Sequence, residues 1–75
     1  MQIETNWENA PIGDGGEYLK RNAIVLARIW PVGQTWQIAV NLPDAKVPKH
    51  IHSSKQQAKN ACAEAVKKWF DRIDA

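Results

Sequence analysis

Ser54-Lys55-Gln56-Gln57-Ala58-Lys59-Asn60-Ala61-Cys62-Ala63 is the stretch on which the reading of this chain turns. A serine hydroxyl accepts a hydrogen bond from a backbone N–H that has no partner inside a helix, so Ser53 or Ser54 marks a helix start. Downstream, Ala58, Ala61, Cys62, Ala65, Val66, Trp69, Phe70 and Ile73 recur every three or four residues. That is one apolar stripe of a helix running to about Phe70 or beyond. Small residues come early in the stripe and large ones late. The helix therefore lies close to its support at the start and fills space with Trp69 and Phe70 at the end. Lys55 and Lys59 stand one turn apart on the other side.

The support is written upstream. Across Thr35–Leu42, Trp36, Ile38, Val40 and Leu42 point one way while Thr35, Gln37, Ala39 and Asn41 point the other. This alternation describes a half-buried strand with one face in water. Ile24-Val25-Leu26-Ala27-Arg28-Ile29-Trp30 reads as the strand before it, with Pro31-Val32-Gly33-Gln34 as the turn between them. Pro43-Asp44-Ala45 makes a second turn. Lys46 to His52, interrupted by Pro48, suits an edge strand because proline donates nothing to a ladder. The expected fold is α+β, a three-stranded antiparallel meander packed against one C-terminal helix (β-β-β-α). Trp36 and Trp69 take core positions, with Ala58, Val66 and Trp69 packed on Trp36, Ile38 and Val40.

Residues 1–17 read as an acidic leader and 18–75 as the single domain. The leader carries Glu4, Glu8, Asp14 and Glu17 with no lysine or arginine, a charge of −4, while 18–70 sums to +7 within a total of +2. Pro11, Gly13, Gly15 and Gly16 punctuate the leader against long helix or strand, and Trp7 and Ile12 are its candidate pins. The charge split suits a polyanion partner. It suits equally a leader folded over a basic surface.

Composition excludes several classes. At 75 residues and 44% hydrophobic content, the chain supports one small core. It contains no apolar run of membrane-spanning length. Met1-Gln2-Ile3-Glu4-Thr5-Asn6 lacks the basic start and apolar stretch of a signal peptide. Cys62 is alone and makes no internal disulfide, so a reduced, cytoplasmic setting is expected. His50 and His52 flank Ile51 and share a strand face, but a stable metal site wants further ligands. They read as a solvated edge-strand pair, and no metal or cofactor is expected. There is no glycine-rich phosphate loop, paired acidic motif or nucleophile with an evident base, so the expected role is non-enzymatic.

The order of elements and the helix start together resemble the double-stranded-RNA-binding domain over about residues 23 to 70. In that family the second helix opens roughly Ser-Lys-Lys-x-Ala-Lys-x-x-Ala-Ala; here Lys55 and Lys59 match, and Gln56 replaces the middle lysine. Trp36, Ile38 and Val40 stand at the family's distance ahead of Ser54. The family's first helix has no counterpart, and Pro31-Val32-Gly33-Gln34 lacks the histidine of its loop between the first two strands. The resemblance implies weak, sequence-tolerant contact with double-stranded nucleic acid through Lys55 and Lys59, with Lys49, His50 and His52 beside them. Three strands followed by a helix is also similar to the arm-type DNA-binding domain of phage integrases. That likeness implies reading through the sheet face by Arg28, Gln37 and Asn41. A reading of another class is an accessory factor that binds a protein partner. In style the chain is similar to small phage-encoded proteins, including inhibitors of bacterial defence complexes, and Trp7 and Trp30 would be its interface anchors.

Overall fold

Two residues with positive φ set the hairpins that shape this molecule. Asn22 (φ 57°) and Gly33 (φ 61°) occupy the turns on either side of one long strand. Asparagine and glycine tolerate that left-handed conformation better than other residues, so the chain reverses tightly at both places. A computed structural model describes residues 4–11 and 13–73. Its strands are β1 (Asn6–Asn9), β2 (Glu17–Arg21), β3 (Ile24–Val32), β4 (Thr35–Val40) and β5 (Ile51–His52), followed by the helix α1 (Lys55–Ile73). They form one antiparallel sheet in chain order, with α1 packed on β3, β4 and β5.

The α+β class and the sheet-plus-helix arrangement agree with the sequence reading; the strand count does not. Five strands replace the expected three, because the segment read as a leader joins the sheet. β1 pairs antiparallel with β2, from Asn6↔Lys20 to Asn9↔Glu17. Trp7 and the β2 residue Leu19 lie opposite each other, and Trp7 packs against the core. Ile12, the other candidate pin, lies outside the described residues. Pro31 and Val32 also belong to β3 and not to the turn. The β2–β3 pairing ends at Glu17↔Ile29, so Pro31 lies beyond it and its missing N–H interrupts no bond there. By contrast, Lys46–Lys49 is an irregular loop leading into a strand of only two residues.

At α1 the expected register holds. Ser54 is the cap: its Oγ accepts from the Gln57 N–H at 3.1 Å, and its carbonyl accepts from the Ala58 N–H at 3.1 Å. Ala58, Cys62 and Val66 are buried against Leu19, Ala27, Ile29 and Ile38, with Trp36, Val40 and Phe70 packed at the margin. Ala58 and Ala27 are both fully buried, small residues that let helix and sheet approach closely. Trp69 is a correction. It is half-buried outside this cluster, and its Nε1–H donates to the Pro43 carbonyl at 2.7 Å. Its indole ties a loop down where a core position was expected.

Candidate functional site

The helix start, where phosphate contact was expected, is already occupied by the chain itself. Glu17 is the first residue of β2 and only 8% exposed. Its Oε2 meets Lys55 Nζ at 2.5 Å and its Oε1 meets Lys59 Nζ at 3.2 Å. Hydrogen bonding from Lys55, seconded by Lys59 and their charges, holds the Glu17 carboxyl below its usual range even though burial pushes it up. Each lysine also lies over an indole: Lys55 Nζ is 5.6 Å from the Trp36 ring centroid, and Lys59 Nζ is 5.0 Å from that of Trp7. Both cations are thus spent on joining α1 to the sheet.

The neighbouring candidates are scattered. Lys49 and His50 are exposed on the loop before β5. His52 is buried, and its Nε2 lies 3.1 Å from the Lys49 carbonyl oxygen. The two histidines expected to share a watered strand face therefore part company, since His50 precedes the short β5 and His52 turns toward the helix. Among the described residues, no group of three or more His, Cys, Asp or Glu side chains gathers as metal ligands. Among the same residues no helix is long and apolar enough to cross a membrane.

The opposite face of the sheet has a different character. Among the described residues a single helix covers one face only, and on the other Glu8, Tyr18, Arg28, Ala39, Trp30, Gln37 and Ile51 are all half-buried or exposed. Two cross-strand rows run over this open face. One is Glu8–Tyr18–Arg28–Ala39 and the other Trp30–Gln37–Ile51. Arg28 and Trp30 are two residues apart on β3 and so point the same way. The Arg28 guanidinium lies 4.3 Å from the Trp30 ring centroid, a close cation–π stack. Lys20 adds a second cation, paired with Glu8 at 3.5 Å. Of the sheet-face candidates, Arg28 and Gln37 fall on this surface, on adjacent strands. Asn41 follows β4 and is exposed, its backbone N–H donating to the Leu26 carbonyl at 2.8 Å.

Gly16 gives Trp30 its room. A Cβ there would stand 2.5 Å from the Ile29 carbonyl oxygen and 3.3 Å from Trp30 Cβ. The Gly16 N–H is held by Asp14 Oδ1 at 2.8 Å, which fixes the backbone as it passes the indole. Of the two tryptophans read as anchors, Trp30 is available on the open face, whereas Trp7 sits under Lys59 against the core. Sequence reasoning missed Glu17, Tyr18 and Lys20. The alternation Glu17-Tyr18-Leu19-Lys20 followed by Asn22 was the signal that could have found them. No protein-family model, no curated protein and no solved structure matches this chain.

Proposed function

We propose that this chain is a small non-enzymatic binding module that holds single-stranded nucleic acid on the open face of its sheet. The observation that carries this reading is the Arg28–Trp30 stack, an aromatic plane with a guanidinium against it on an uncovered surface. Bases stack on aromatic and guanidinium planes, and such stacking tolerates any sequence because every base has a π-face. Tyr18 and Gln37 extend the platform, and Lys20 supplies further charge for the backbone.

The width of the sheet favours a single strand over a duplex. Five strands at a spacing of about 4.8 Å span about 19 Å, wider than the roughly 12 Å of a B-DNA major groove. A flat platform of that width suits an unpaired strand better than a groove. The helix-start mode, with its duplex phosphates, would require Lys55 and Lys59 to leave Glu17. A protein partner on the same face is the second reading, favoured by Val32 and Ile51, which are 43% and 50% exposed.

Fluorescence anisotropy of a labelled oligonucleotide, single-stranded and then annealed, tests the proposal. Weak binding to the single strand is expected. With Arg28 as a phosphate contact and Lys20 as a second once it leaves Glu8, log K falls with log salt at a slope of about −0.7 to −1.4. Preference for the duplex would reject the platform, and binding of neither form in low salt would turn attention to a protein partner.

A further inference from the structure

The loop between β4 and β5 is an arch with two feet on the rest of the molecule. At one foot, Trp69 Nε1 donates to the Pro43 carbonyl at 2.7 Å and Arg72 donates to the Asp44 carbonyl at 3.1 Å. At the other, His52 Nε2 meets the Lys49 carbonyl oxygen at 3.1 Å and the Ile38 N–H donates to the His50 carbonyl at 3.0 Å. Between the feet, Lys46–Lys49 stands off α1 and leaves a trough. It comprises a depression of about 400 Å³ beside Val47, Pro48 and Ala61 and a second of about 280 Å³ beside Trp69 and Arg72. The two share Lys46, Ala65 and Lys68, so they run on as one.

We propose that this trough is a binding site for an extended acidic peptide segment. Its rims are cationic on both sides, with Lys46 and Lys49 on the arch facing Lys68 and Arg72 on the helix. Among the described residues Glu64 is the one carboxylate on the rims, and its pairing with Lys68 at 2.9 Å leaves Lys46, Lys49 and Arg72 as the net positive charge of the trough. The floor between the rims is apolar and shallow, built on Val47, Ala61 and Ala65.

Length selects the occupant. From Ala61 to Arg72 the helix rises about 16 Å, and an extended chain covers that distance in about five residues. A compact anion would reach only part of a rim whose cations are spread along the whole trough. A peptide with carboxylates at alternate positions meets the rims and sets small apolar side chains on the alanines between them. Nucleic acid fits less well, because the floor of Val47, Ala61 and Ala65 carries no aromatic ring. Trp69 is engaged edge-to-face with Phe70, centroids 5.1 Å apart, and bonded to Pro43.

The test is a titration of the isotope-labelled full chain, followed by amide and indole NMR shifts. The probes are acetyl-Glu-Ala-Glu-Val-Glu-amide and the same peptide with lysines for glutamates. Shifts are expected for the acidic peptide alone, concentrated at Val47, Ala61, Ala65 and the Trp69 indole. K46E with K49E, both exposed on the arch, should weaken binding by about tenfold without altering the remaining spectrum. R28A, on the opposite face, should leave peptide affinity unchanged. No shift at millimolar peptide, equal binding of the basic peptide, or shifts centred on the sheet face would each overturn the proposal. An oligonucleotide whose binding is lost in K46E/K49E and kept in R28A would overturn it too, assigning the trough to nucleic acid. Because the trough and the open face lie on opposite sides of the sheet, failure of either reading leaves the other measurable.

Discussion

Glu17 links the N-terminal part of the chain to the helix that ends it, and its ionisation is coupled to folding. Lys55 and Lys59 favour the charged carboxylate, so the folded pKa lies below the ordinary value of 4.5. A depressed pKa contributes stability that is present above about pH 4.5 and lost as pH falls through the lowered folded value. Urea unfolding of wild type across that acid range should show the loss, and Glu17→Gln should show a flatter acid limb with lower stability at neutral pH. Equal pH profiles would mean that the clamp does not operate in solution. Cys62 makes the converse case. Burial raises its thiol from 9.0 to about 12. Native labelling by a thiol reagent at pH 8 should therefore be slow and should accelerate in step with unfolding by urea. Fast labelling without urea would contradict its place under α1.

At the scale of elements, legibility followed periodicity. β4 and α1 could be read because each carries a clean repeat, of two and of three to four residues, over a long enough run. A serine cap was readable at Ser53 or Ser54 because one hydroxyl performs one local task, and the structure selects Ser54. β1 and β2 were hidden for physical reasons. β1 is four residues long and mostly polar, and the glycines between the two strands resemble a flexible leader. The register also shifts between Leu19 and Lys20, where a bulge breaks the alternation against β3. Tertiary pairing stabilises these strands; no propensity of their own announces them. Gly16 gives a direct test of that pairing. Gly16→Ala forces a Cβ against the Ile29 carbonyl, so it should destabilise by about 1–3 kcal/mol, as overpacking does. Unchanged denaturant midpoints would show that the β2 entry is looser than described.

For the whole molecule, the charge split in the sequence is a guide to packing as well as to partners. The acidic N-terminal part is not a separate tail: Glu8 meets Lys20 on the open face and Glu17 meets Lys55 and Lys59 at the helix start. Of the candidate site, Arg28, Gln37 and Trp30 were legible as surface residues, but their meeting on one face depended on strand pairings that the sequence did not announce. Lys55 and Lys59 were legible as a pair, whereas their partner lay about forty residues away at a position with no motif around it. Pairing over such a separation is set by the completed sheet, which local pattern does not encode.

The most direct measurement compares three proteins on one labelled single-stranded oligonucleotide in low salt: wild type, Arg28→Ala with Trp30→Ala, and Lys55→Gln with Lys59→Gln. Circular dichroism first establishes that each is folded at the temperature used. If the open sheet face is the working surface, removing the Arg28–Trp30 stack costs about 1–3 kcal/mol of binding, roughly a factor of five to 150, while the glutamine pair binds as wild type does. If binding instead disappears with Lys55 and Lys59 and survives without Arg28 and Trp30, the helix start is the interface and the account is wrong.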